Sequence, residues 1–168
     1  MIRILSLLLL AGALVSCNKK QPQADNPHDE DKNFVHVQSG DAGMNAAIAK
    51  AKQTSGEFLE ALRHPKPTFS GFAVKKPYPA VPSEMEHMWI SQVREAGDHL
   101  EGVIANEAYE TKAVKLGDEV SFKIEEISDW KYLDGGLLKG GFSIRYFYNR
   151  MSPAEKKAFL EESGFTVE

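Results

Sequence analysis

One cysteine, Cys17, closes the apolar run at the start of this 168-residue chain. With no second cysteine there can be no intramolecular disulfide, so whatever folds must stand on its apolar core alone. The run itself has the three parts of a secretory signal. Met1-Ile2-Arg3 carries one positive charge, residues 4–15 are almost wholly apolar, and small residues (Ala11, Gly12, Ala13, Ser16) gather before the cysteine. That apolar stretch falls short of the roughly 20 residues a membrane-spanning helix needs. The sequence therefore divides into a signal peptide at 1–16, a tether at 17–38 and one folded domain at 39–168.

Leu14-Val15-Ser16-Cys17 resembles the lipobox of bacterial lipoproteins. The resemblance implies that a diacylglycerol is attached to the Cys17 sulfur, that the chain is cut before Cys17, and that the new amine is acylated. Each buried methylene contributes about 0.8 kcal/mol and one acyl chain holds only marginally, so three chains make a firm membrane anchor. In enterobacterial lipoproteins an Asp after the cysteine retains the protein in the inner membrane. By that resemblance Asn18 implies the outer membrane, facing the periplasm.

Residues 18–38 are polar, charged and poor in large apolar side chains, a composition that cannot offset the entropy of ordering. About 20 such residues span about 25 Å on average. His28 lies there beside Asp29, Glu30 and Asp31, where solvation or weak cation binding is open to it. A short strand is expected over Phe34-Val35-His36-Val37. Charge excludes one class of partner. There are 20 basic and 24 acidic side chains, a net −4, and loss of Arg3 with the signal makes the balance more negative. Nucleic-acid binding rewards clustered Lys and Arg, so no nucleic acid is expected, and the lipid anchor must hold the chain to its membrane.

A helix is predicted over 41–62, with Met44, Ile48, Ala51, Phe58, Leu59 and Leu62 on one face. Ser39 or Asp41 can cap it, and a break is expected at Gly56. Pro65, Pro67, Pro77, Pro79 and Pro82 flank a strand over 68–75, which the prolines make an edge strand or a bounded one. Strands follow at 87–93, 99–105 and 119–125. In the last, Val120, Phe122 and Ile124 alternate with Glu119, Ser121, Lys123 and Glu125. Residues 130–133 and 137–149 are expected to pair as strands through Asp134-Gly135-Gly136, with a bulge or tight bend at Gly140-Gly141. Ser152-Pro153-Ala154-Glu155 has capping-box spacing for a final helix that stops at Gly164. The expected class is α+β: an antiparallel sheet of five or six strands flanked by an N-terminal and a C-terminal helix.

Several pieces resemble the YegJ-like family of bacterial proteins, a domain of unknown function. They are Met44-Asn45-Ala46-Ala47-Ile48, Glu86-His87-Met88-Trp89, Lys115-Leu116-Gly117-Asp118-Glu119-Val120, Ile127-Ser128-Asp129-Trp130 and Gly140-Gly141-Phe142-Ser143-Ile144-Arg145. The resemblance covers residues 44–145 and implies a shared fold with no established activity. The family also occurs without a lipid anchor, which makes the anchor an address rather than part of a mechanism.

Asp129-Trp130 is the pair that could carry chemistry. A carboxylate beside an indole can have a raised pKa and act as a general acid. The favoured alternative is a turn in which Ser128 and Asp129 bond backbone N–H groups while Trp130 fills the core. His87, His99 and Glu101 lack the close, patterned spacing of zinc ligands, so no metal and no cofactor are expected. There is no phosphate-cradling glycine loop and no G-x-S-x-G elbow. Tyr146-Phe147-Tyr148, read as strand, puts aromatic rings on both faces; burial accounts for one, and the other is covered by a helix, the favoured reading, or forms a binding surface. Trp89, Asp129, Trp130, Tyr146 and Tyr148 are accordingly the candidate binding surface. The expected function is a lipid-anchored, non-enzymatic binding module with an envelope partner. The alternatives are an acidic inhibitor or immunity-type protein using Glu107, Glu110, Glu119 and Glu125, or a hydrolase using Asp129 with a histidine.

Overall fold

Residues 40–168 are described by the structure, a computed structural model. The expected signal peptide, Cys17, the tether and the strand at 34–37 all lie outside them. No helix among the described residues is long and apolar enough to cross a membrane. Two helices, α1 (Ala42–Gln53) and α2 (Ser55–Arg63), precede four strands: β1 (Phe69–Ala80), β2 (Glu84–Ala96), β3 (His99–Ile104) and β4 (Glu119–Phe122). A 3-10 turn (Ile124–Glu126), β5 (Asp129–Asp134), β6 (Leu137–Gly140), α3 (Phe142–Tyr148) and α4 (Pro153–Ser163) complete the chain. The six strands form one antiparallel sheet in the order β4-β3-β2-β1-β5-β6. The class is α+β, as expected.

Asp41 caps α1, its Oδ1 accepting from Met44 N at 2.7 Å. The break in the first helix falls at Thr54 (φ −107°), two residues before Gly56. The reason is tertiary. The Trp130 indole N–H donates to Ala51 O at 3.0 Å, the carbonyl that an unbroken α-helix would offer to Ser55 N. Thr54 Oγ1 lies 3.3 Å from the same indole nitrogen.

β1 is not an edge strand; it lies between β2 and β5. Yet the proline rule holds where it applies. β1 pairs with β5 only as far as Lys75, while its pairing with β2 runs on to Ala80. Lys75 O faces the β5 side, where Ser128 N donates to it, and Pro79 O faces the same way, accepting from Thr111 Oγ1. By alternation the nitrogens of Pro77 and Pro79 point to the side β5 has left, where no ladder bond is lost.

β4 ends at Phe122 rather than 125, because the Glu126 carboxylate accepts Lys123 N at 2.7 Å and winds the chain into the 3-10 turn. The largest difference follows β6. Residues 142–148 are helix, not strand. Gly140 and Gly141 turn the chain with φ of +65° and +62°. At Gly140 even a methyl group is excluded, since a Cβ would lie 2.3 Å from Trp130 O and 2.4 Å from its ring. The final helix has its capping box, with Ser152 N donating to Glu155 Oε2 at 2.7 Å, and it stops at Gly164 (φ +70°).

The core lies on the sheet face that carries Val74, Met88, Ile90, Ile104 and Trp130. Phe58 of α2 reaches Trp130 and Phe72 with ring centroids 6.0 and 5.9 Å apart. Stacked Tyr132 extends the aromatic layer. Each large apolar side chain buried there contributes about 1.5–3 kcal/mol. The connection between β3 and β4 is held down by Glu86, 5% exposed. Its carboxylate accepts Tyr109 N, Glu110 N and Thr111 N at 2.9, 2.9 and 2.8 Å.

Candidate functional site

Side chains alternate across a strand, so the positions next to the core residues form the opposite, outer face of the sheet. Lys75 pairs across strands with Trp89 on one side and Asp129 on the other, and Ala73 pairs with Lys131. Lys75, Trp89 and Lys131 are half-buried. The Lys75 Nζ lies 5.2 Å from the Trp89 ring centroid and the Lys131 Nζ 5.6 Å from it. The Lys131 Nζ also lies 5.6 Å from the ring of Phe165, so this cation sits against two aromatic rings. Such contacts are worth about 0.5–2 kcal/mol, rising with desolvation. Trp89 is held by its backbone: its N donates to Asn106 Oδ1 at 2.7 Å and its O accepts from Ala105 N at 2.8 Å.

Beside this pair, His87 Nδ1 is 2.7 Å from Ser128 Oγ. The Ser128 hydroxyl donates to Lys75 O at 3.2 Å. The hydroxyl thus has two acceptors within reach, His87 Nδ1 and Lys75 O, and Lys75 O already accepts from Ser128 N at 2.7 Å. Ser128 is also 3% exposed. Burial, reinforced by the Lys75 charge, pushes the His87 pKa down to about 4, which keeps the imidazole neutral. Burial likewise lowers the pKa of Lys75 and of Lys131, with attraction to Asp129 opposing it in both.

The structure separates the five candidate surface residues. Asp129 and Trp130, 1% and 2% exposed, are buried and not surface: Trp130 lies in the core, and Asp129, paired with Lys75, lies on the other face under the start of α3. The Asp129 carboxylate accepts four hydrogen bonds: Trp130 N at 2.8 Å, Phe142 N at 3.0 Å, Ser143 N at 2.8 Å and Ser143 Oγ at 2.6 Å. Burial raises its pKa and these donors oppose the rise. The carboxylate bonds backbone N–H groups, as the turn reading has it, and it also starts α3. Tyr146 is a tie between helices. Its hydroxyl donates to Asp41 Oδ2 at 2.7 Å and Arg150 stacks on its ring at 3.6 Å. Tyr148 docks α4, its ring 5.8 Å from that of Phe159. Of the five, Trp89 remains on the outer face.

The hydrolase arrangement is not assembled. The hydrogen-bond donors on Asp129 include no histidine, and His87 lies near the start of β2 whereas His99 opens β3, opposite Ala96 at the far end of β2. His99 is close to Asp98 at 3.2 Å and Glu101 at 3.4 Å. Among the described residues no group of three or more His, Cys, Asp or Glu side chains is placed to hold a metal ion. Glu110 is half-buried, and its Oε2 is buried with no hydrogen-bond partner among the described residues. Sequence reasoning missed Lys75 and Lys131. The signal available was their place in the β1 and β5 patterns, at positions that register sets beside Trp89.

The profile of a bacterial family described as "Uncharacterized protein conserved in bacteria (DUF2314)" matches residues 41–167, which is the whole sheet and all four helices. The chain belongs to that family. It is 34% identical over 101 residues to "Uncharacterized protein YegJ" of Escherichia coli (strain K12), covering 60% of this chain and 64% of that one. It is 31% identical over 133 residues to a Neisseria meningitidis serogroup B protein named "Putative ankyrin repeat protein", covering 75% of this chain and 53% of that one. The chain thus spans less than two thirds of the length of either relative. No solved structure matches it. The DUF2314 description assigns no chemistry.

Proposed function

We propose that this DUF2314 protein is a lipid-anchored protein of the bacterial envelope, acylated on Cys17, held at the outer membrane facing the periplasm, and acting as a non-enzymatic binding module. The observation that carries the binding reading is Trp89, a half-buried indole on the outer sheet face with two lysines over it. Large aromatics of this kind, flanked by cations, are what recognition surfaces use. The carboxylate that could run acid–base chemistry is spent on structure: Asp129 caps α3, and Ser128 is buried, 3% exposed. The anchoring part is supported by Leu14-Val15-Ser16-Cys17 at the end of the apolar run.

Two measurements test the two halves. Metabolic labelling with palmitate is expected to mark the wild-type chain in membranes, while a Cys17→Ser chain is unlabelled; label on the variant, or wild type found uncleaved in the cytosol, removes the anchor. A photo-crosslinking residue at position 89 of the full chain, in living cells, is expected to give a discrete product. The same residue at exposed position 157 on α4 gives none. Equal patterns from both positions would remove the binding face.

A further inference from the structure

Two cations of the outer face, Lys75 and Lys131, have no direct ion-pair partner: among the described residues neither ammonium lies within ion-pair distance of a carboxylate. Lys76, one position along β1, shows the ordinary arrangement: it lies over the Tyr78 ring at 4.3 Å and is paired to Glu126 at 3.2 Å. Lys75 and Lys131 have the ring without the pair. Asp129 attracts both at longer range, but its two oxygens already accept four hydrogen bonds. His87, neutral beside them, supplies no negative charge. Desolvating a cation with no counter-charge is unfavourable, and a shared indole offsets only part of that. Both ammonium groups lie within 5.6 Å of the same ring centroid, so an oxyanion bound against that indole is offered charged N–H donors from two strands.

We infer that Lys75 and Lys131, over Trp89, form a binding site for a small oxyanion, a carboxylate or a phosphate. This rests on the binding reading above and names the chemistry of its ligand. The ammonium N–H groups donate to the anion oxygens. Trp89 and Phe165 form apolar walls that exclude water and so strengthen those bonds, and the backbone bonds of Trp89 keep its ring in place before a ligand arrives.

The test uses the purified full chain in detergent, with inorganic phosphate and succinate as separate probes at constant ionic strength. Two signals are followed: Trp89 fluorescence, with Trp89→Phe subtracting the buried Trp130, and the thermal midpoint. Saturable quenching is expected with at least one probe, and which probe wins distinguishes a phosphate from a carboxylate ligand. Lys75→Gln or Lys131→Gln each weakens binding about tenfold, and the double variant loses it. The probe raises the thermal midpoint of wild type more than that of the double variant, and the double variant without probe melts no lower than wild type. That last reading shows that the variant is folded. Two results overturn the inference: no saturable response to either probe, or equal affinity in wild type and the folded double variant. If either comes with an intact crosslink from position 89, the oxyanion assignment falls and the binding face stands. A missing crosslink removes the binding face itself.

Discussion

The two faces of the same three central strands have opposite chemistry one residue apart. On the core face, Val74, Ile90 and Trp130 meet across β1, β2 and β5, and none is more than 2% exposed. On the outer face, Lys75, Trp89 and Lys131 occupy the neighbouring positions, and burial there works against two unpaired cations. The core face is where stability comes from. The outer face keeps charge half out of water, which a stability-optimised sheet would avoid. The contrast separates residues that hold the fold from residues free to recognise something.

The largest expected effect that could break this contrast is on the core side. Trp130→Ala should cost about 4 kcal/mol, read as a lower urea midpoint of the full chain, because it opens a cavity and removes the donor on Ala51 O. Next comes Asp129→Asn, expected to cost about 2–3 kcal/mol with loss of helical circular dichroism, since four donors then face a single amide oxygen. An unchanged melting curve for that variant, with some hydrolytic activity abolished, would restore the hydrolase reading.

A third prediction concerns pH and the border between the faces. The unfolded chain protonates His87 near 6.5, whereas the folded chain resists until about 4. The unfolded state therefore binds more protons in that window, and stability falls as pH drops from about 6.5 towards 4. With solvent screening the loss is about 2 kcal/mol, and His87→Gln should not show it in parallel urea titrations at each pH. The smallest effect belongs to Trp89→Ala, below about 1 kcal/mol despite the size of the side chain removed, because the ring is half-buried and its hydrogen bonds are backbone ones. A cost matching that of Trp130→Ala would mean that Trp89 is core and that the outer face is no recognition surface.

Local patterns carried most of the fold into view. The Asp41 cap, the alternation of Val120 and Phe122, the Asp134-Gly135-Gly136 hairpin and the Ser152–Glu155 capping box are signals made by residues a few positions apart, and each is present. The misreadings share a cause. Residues 142–148 (Phe142-Ser143-Ile144-Arg145-Tyr146-Phe147-Tyr148) are rich in β-formers, yet they are helical because the Asp129 carboxylate, 13 residues earlier, takes the N–H groups of Phe142 and Ser143. The helix break moves from Gly56 to Thr54 because an indole 79 residues away takes Ala51 O.

Class, strand count, caps and turns follow from neighbours along the chain, through propensity, period and side-chain bonds to nearby backbone. The family and the extent of its domain are written there too. Where the residues of the site stand was settled by long-range pairing. Register placed Lys75 and Lys131 beside Trp89 and turned Trp130 into the core, while the start of α3 covers Asp129. A side chain's exposure depends on which strand lies next to it, and that is a property of the closed sheet rather than of any window of sequence.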